Sequence, residues 1–194
     1  MVPDEPDSEE PANPAQPAAA AEPAAEPEPQ VDPAVAALSL IAEIEFSGGD
    51  PQIGPPADIN PWGIAVVGYP YWFWTDGPSS LQASQESMGI EVSLDATATS
   101  VTFDTGDGGS VTCDPASAPR WTQGVAPKQE SPSCGYTWTE RSATPSSPES
   151  AHTVTATTTW QVDWTAGGES GTEVVQRSES VDVVVGELQA LVTG

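Results

Sequence analysis

Between His152 and Trp164 the chain alternates with a period of two and never breaks step. Val154, Ala156, Thr158, Trp160, Val162 and Trp164 fall on one side, and Thr153, Thr155, Thr157, Thr159, Gln161 and Asp163 on the other. Successive strand residues point to opposite faces, so the pattern specifies a long strand with one face packed and one in water. On a helix the same apolar residues would be spread around the whole circumference. The run from Ala166 to Gly171 is rich in glycine and turns the chain, and Thr172–Val185 returns as the partner strand.

Shorter segments repeat the theme upstream. Strands are expected at 63–68, 71–74, 89–97, 100–104 and 110–113, with Asp107-Gly108-Gly109 as a hairpin turn between the last two. Residues 51–61 and 114–132 are rich in Pro, Gly, Asn, Ser and Gln and read as loops. The one helical candidate starts at Asp32, which can cap it, and Pro33, which suits the first helical position. Val35, Leu38 and Ile41/Ala42 would form its apolar stripe. A strand through Ile44 and Phe46 competes with it, since short apolar runs are ambiguous by pattern. Regular short strands with turn residues between them make the fold class all-β, an antiparallel β-sandwich with one short N-terminal helix.

Residues 1–31 are almost entirely Pro, Ala, Glu and Asp. Such a segment cannot bury enough apolar surface to offset its ordering entropy, so a disordered, extended tether is expected there. It reads either as a spacer or as a remnant of the gene start. The expected organisation is therefore a tether (1–31), a helix-and-loop lead-in (32–59) and a sandwich (60–194). Against 29 acidic residues stand only Arg120, Lys128, Arg141 and Arg177, for a net charge of -25. A surface this acidic repels phosphate backbones and anionic lipid, which argues against nucleic-acid or membrane-surface partners. No stretch is long and apolar enough to cross a bilayer, so no membrane insertion is expected. Met1-Val-Pro-Asp lacks the basic and apolar regions of a signal peptide, so an export signal would lie outside this sequence.

The two cysteines, Cys113 and Cys134, have no Cys-x-x-Cys spacing and only His152 to join them, which leaves no zinc set. They read as one disulfide, the competing reading being two buried thiols. A disulfide would close a loop of about 20 residues, worth about 3 kcal/mol on the chain-entropy model, and would require an oxidising compartment.

The segment Val101-Thr-Phe-Asp-Thr-Gly-Asp-Gly108, followed by Cys134-Gly-Tyr136 and His152-Thr-Val-Thr155, resembles the polycystic-kidney-disease (PKD) module, an immunoglobulin-like β-sandwich. Gly106, Asp107 and Gly108 match the module's turn. The departures are Thr105 in place of the aromatic before the turn, no His ahead of Tyr136, and a long insertion at 114–132. Across residues 60–190, Gly68-Tyr-Pro-Tyr-Trp-Phe-Trp74 and Trp160-Gln-Val-Asp-Trp164 extend the likeness to exported PKD-like proteins of high-GC Gram-positive bacteria. The resemblance implies a fold and a secreted or cell-surface location, without implying an activity.

Seven tryptophans raise the question of an aromatic binding platform. Trp72 and Trp74 share one side of an extended stretch and Tyr71 and Phe73 the other. Tyr71 and Trp74 are the candidate binding residues, able to stack on sugar rings if left open. The competing reading puts one side in the sandwich core. Asp104, Asp107 and Asp114 do not have the spacing of an EF-hand loop, and Asp in such turns usually serves the backbone, so no metal or other cofactor is expected. A lone His152 and the absence of a Gly-x-Ser-x-Gly elbow argue against catalysis. The expected role is non-catalytic, protein–protein interaction or spacing in the bacterial envelope. The alternative is binding of a cell-wall glycan through exposed aromatics. In native protein without reductant, an alkylating reagent should label no cysteine; two labelled thiols would remove the disulfide and with it the argument for an oxidising compartment.

Overall fold

A computed structural model of the chain describes residues 31–144, 146–147 and 149–188. In chain order the elements are α1 (Pro33–Glu43), β1 (Pro51–Gly54), β2 (Ala65–Val66), β3 (Tyr71–Thr75), β4 (Ser80–Ser87) and β5 (Ile90–Asp104). They are followed by β6 (Ser110–Cys113), β7 (Gly135–Tyr136), β8 (His152–Ala166), β9 (Glu169–Val183) and β10 (Val185–Gly186). The expected tether lies outside the described residues, apart from Val31.

The long alternating segment is strand β8, and its apolar side is buried as the period predicts. It pairs antiparallel with β9 on one flank and β5 on the other. The β8–β9 connection is the two-residue turn Gly167-Gly168, both at positive φ, which matches the natural twist of a hairpin. Strand β5 carries two shorter neighbours in tandem, β4 along its first part and β6 along its end.

Two strands were expected where β5 runs unbroken, and the reason is a bulge. Val92, Leu94, Ala96 and Ala98 are buried at even positions, whereas Val101 and Phe103 are buried at odd ones. Between them the register slips: Ala98 faces Trp160 and Ser100 already faces Thr159. The extra residue, Thr99, hands its hydroxyl to the Thr159 carbonyl. A one-residue bulge resets parity without ending the strand. β4 stops and β6 starts at this point, so the change in parity coincides with a change of neighbour.

The buried face of the large sheet has two coverings. Over the first part of β5 lies α1, whose Ala36, Ala37, Leu40 and Ile41 pack with Leu94, Trp160 and Trp164. Asp32 caps the helix by accepting the Ala34 N–H at 2.8 Å. The expected stripe is corrected here: Val35 and Leu38 are each 46% exposed, and Ala42 is exposed. The small alanines let the helix axis approach the sheet, Leu40 and Ile41 fill the contact beside them, and Val35 and Leu38 face out. The rest of the face is covered by a three-stranded antiparallel sheet ordered β1-β3-β7. Here Tyr71 and Phe73 meet Val101, Phe103, Val154 and Ala156, with the Phe73 and Phe103 rings 5.3 Å apart.

Three other expectations need correction, and one further strand was not anticipated. The strand at 63–68 shrinks to β2, which pairs in parallel with β10. Strand β1 forms where a loop was expected, paired with β3 from Pro51↔Thr75 to Gly54↔Trp72. Strand β4, in a stretch the pattern left unassigned, is an edge strand with only Leu81 and Ala83 leaning on the core. The partner strand expected at Thr172–Val185 begins at Glu169 and ends at Val183. The outer face of the large sheet is hydroxyl-rich: Thr102 bonds Thr112, Thr155 bonds Ser180, and Thr157 bonds Ser178 across strands. Such cross-strand pairs are worth roughly 0.2–1 kcal/mol each.

Trp164 lies across Gly171, its partner in the β8–β9 register, and a Cβ added at Gly171 would sit 2.6 Å from the indole. Alanine in place of glycine normally strengthens a strand interior. Gly171→Ala should do the reverse and lower stability by about 1–3 kcal/mol, the usual cost of overpacking. Thermal unfolding of the variant gives the sign, and a raised Tm would contradict the packing described.

Candidate functional site

The candidate functional region grows from the aromatic cluster under the small sheet. Trp138, which the sequence pattern did not single out, is fully buried at its centre. Its ring lies 5.1 Å from Tyr71, 5.6 Å from Phe73 and 5.8 Å from Tyr136, and its indole N–H donates to the Thr105 carbonyl at 3.2 Å. Edge-to-face and tilted pairs of this kind add about 0.5–1.5 kcal/mol each beyond area burial. Cys113 and Cys134 are joined in the same cluster with their Cα atoms 5.5 Å apart. Cys113 ends β6 of the large sheet. Cys134 precedes β7 of the small one, where its carbonyl accepts the Phe73 N–H at 2.9 Å. The bond therefore ties one sheet to the other.

The Gly106-Asp107-Gly108 turn is built by its carboxylates. Asp104 accepts the Gly106 N–H at 2.9 Å. Asp107 accepts from the Gly109 N–H, the Thr105 hydroxyl and the Tyr136 hydroxyl, which reaches it at 2.9 Å from β7. Gly106 and Gly108 both have positive φ, as the tight turn needs. Burial alone would push the Asp107 carboxyl up. The donors outweigh it and hold the group below the usual carboxylate range. The Tyr136 hydroxyl is raised, by burial first; Thr105 opposes this, and the bond to the Asp107 anion and its charge add to it. Asp114 accepts the Ala116 N–H and the Ser117 hydroxyl. Each of the three aspartates is thus engaged by its own turn, and among the described residues no three His, Cys, Asp or Glu side chains gather as a metal site.

Tyr71 and Trp74 do not form an open platform together. Tyr71 is 3% exposed, with its ring in the core and its hydroxyl accepting the Val66 N–H at 2.6 Å; burial raises that hydroxyl's pKa. Trp74 is half-buried on the opposite side of β3. Its neighbour Trp72 is buried as well, and its indole N–H holds the long 114–132 loop by donating to the Gln129 carbonyl at 2.8 Å.

The open aromatics sit on loops instead. A half-open cleft of about 500 Å³ lies between the 55–69 segment and the 121–128 part of the long loop, with Tyr71 at its floor. Asn60 makes one wall: its amide accepts the Trp62 N–H and donates to the Ile64 carbonyl. This small turn leaves Trp62 59% exposed at the rim. Trp121 comes from the other wall and presses on Gly54, where a Cβ would fall 2.4 Å from it. Tyr69 bridges the walls, its hydroxyl accepting the Lys128 N–H at 3.1 Å. The described lining carries no carboxylate, imidazole or thiol, and Lys128 is its one charged residue. It offers a ligand flat apolar faces and a few hydrogen-bond donors. The available signal was that Trp62 and Trp121 stand in Pro/Gly/Ser-rich loops, away from any alternating strand that would bury them.

Compared with known proteins, the chain matches no family model, no curated protein and no solved structure.

Asp107→Asn should cost about 1–2 kcal/mol at neutral pH, the loss of a charged hydrogen-bond acceptor. Because the folded carboxyl is held below its ordinary value of 3.8, its contribution is fully present above that value and is lost as pH falls through the folded pKa. The stability gap between wild type and Asp107→Asn should therefore be constant at neutral pH and close below about pH 4. Denaturant melts at pH 7, 5 and 3 measure it, and a gap that widens in acid would reverse the assignment.

Proposed function

We propose that the protein is a non-catalytic, exported interaction module of the bacterial envelope, and that the cleft between Trp62 and Trp121 is its contact surface. The observation that carries this reading is the exposure of Trp62 at the rim of an aromatic cleft, in a chain whose other large aromatics are mostly packed. Exposed aromatics near a concave surface are where binding energy concentrates. The described lining offers no carboxylate, imidazole or thiol to pair with Lys128 or the tyrosines as an acid–base set, which favours binding over catalysis.

Two further features support an immunoglobulin-like sandwich of the PKD kind. The Cys113–Cys134 bond joins the two sheets beside the buried Trp138, as a tryptophan packs on the inter-sheet disulfide of immunoglobulin domains. The second is the Gly106-Asp107-Gly108 turn, the segment that carries the resemblance, closed by Asp104 and Asp107. The disulfide is compatible with an extracellular location. No described helix is long and apolar enough to cross a membrane.

The test is retention of the full chain on cell envelopes, run beside wall sacculi stripped of protein. Retention only on unstripped envelopes, lost in a Trp62→Ala variant with unchanged Tm, is the expected result and indicates a protein partner. Retention on the stripped wall would favour the glycan alternative. Retention on neither would overturn the binding reading altogether.

A further inference from the structure

The partner's chemistry is written in the cleft. We infer that it receives a proline-rich segment in the extended polyproline II form, carrying an acidic residue among its prolines; this rests on the cleft being the binding surface.

Shape comes first. The cleft is half open, so a bound chain keeps one side in water, which suits an extended strand of peptide better than an engulfed small molecule. Its walls present the rings of Trp62, Tyr69 and Trp121 together with the rigid Pro55 and Pro127. Aromatic-lined grooves of this kind take proline rings between their side chains, and the ligand is already in its bound conformation, so little entropy is lost.

Hydrogen bonding suits a peptide. A polyproline II chain makes no internal hydrogen bonds and offers bare carbonyls. The Trp62 and Trp121 indole N–H groups are donor-only, and the Tyr69 hydroxyl, which already accepts from Lys128, keeps its own hydrogen to give. A sugar needs acceptors for its hydroxyls. The described lining has no carboxylate, the Asn60 amide is spent on the Trp62 and Ile64 backbone, and Gln123 contributes the one other side-chain amide.

Charge completes the match. In a chain of net charge -25, the described lining of this cleft lacks any acidic residue and contains Lys128, one of only four cations. Lys128 holds a left-handed backbone, φ 61°, at the point where its N–H meets Tyr69. Its place in the wall is therefore set by the same contact that fixes the ring. A ligand carboxylate beside a proline is the complement of that single cation.

The experiment is a tryptophan-fluorescence titration of the full chain with three synthetic peptides, to about millimolar concentration, the range of weak peptide recognition. One is Pro-Pro-Glu-Pro-Pro-Glu-Pro-Pro, the second has Gln for Glu, and the third has Ser for Pro. The acidic proline peptide should give a saturable shift, with the Gln peptide weaker by about threefold, the scale of an exposed ion pair. The Ser peptide should give none. Trp62→Ala should weaken binding at least about tenfold, and Lys128→Gln should bring the acidic peptide down to the level of the Gln peptide. No saturable shift, equal binding of the Ser peptide, or undiminished binding by Trp62→Ala would overturn the inference. A shift with wall polysaccharide and none with peptides would also overturn it, while leaving the cleft a binding surface. If the peptides fail but envelopes still retain wild type and not Trp62→Ala, the module reading stands and only its ligand class falls.

Discussion

Because β8 keeps strict parity from Val154 to Ala166 while β5 changes parity at Thr99, the two strands can share one buried face only through the bulge between Ala98 and Ser100. Everything else is arranged around that shared face. A register slip of one residue turns every side chain of a strand over. Without the bulge, Val101 and Phe103 would face water and Ser100 and Thr102 the core. The same step divides the face into two territories, one under α1 and one under the small sheet. It also passes the flank of β5 from β4 to β6. One unpaired residue thus fixes both the composition of two packed clusters and the partners of the central strand.

The second territory is the more rigidly specified. Trp138 fills its middle, the Cys113–Cys134 bond crosses it, and Asp107 ties the β5–β6 turn to Tyr136 on the facing sheet. These contacts explain how an irregular surface stays ordered above them. The Tyr71 hydroxyl holds the Val66 N–H, Trp138's carbonyl holds the Gly68 N–H at 2.9 Å, and Trp72 holds Gln129. The cleft walls are loops, yet each is fastened to a buried ring. Recognition groups carried on loops and fixed by a rigid scaffold are the usual division of labour in β proteins.

The elements that sequence reading missed share a physical cause. β4 is a solvent-facing edge rich in Ser and Gln, residues with little strand preference, and its hairpin turns at Met88-Gly89. Met88 sits at φ 53°, a conformation its side chain gives no hint of. The face of α1 was misjudged because alanines weigh little in an apolar pattern, although Ala36 and Ala37 are wholly buried. Trp62 and Trp121 were passed over for Tyr71 and Trp74, since a tetrad of aromatics in a strand looks like a platform. Strand alternation sent half of that tetrad into the core and the long loop covered Trp72.

By itself the sequence determined what is local and periodic. The strict alternation of β8 marks its buried face, the paired glycines 167 and 168 set the hairpin, Asp32 and Pro33 start the helix, and the Gly106-Asp107-Gly108 turn is written in its own residues. Burial of alternate side chains and the conformations open to glycine depend on neighbours a few residues away. Only the tertiary structure decided which helix face is buried, that a bulge rather than a break separates Ala98 from Ser100, and that residues near 62, 69, 121 and 128 meet in one cleft. Those outcomes depend on which distant surface each segment covers, and no local pattern encodes that surface.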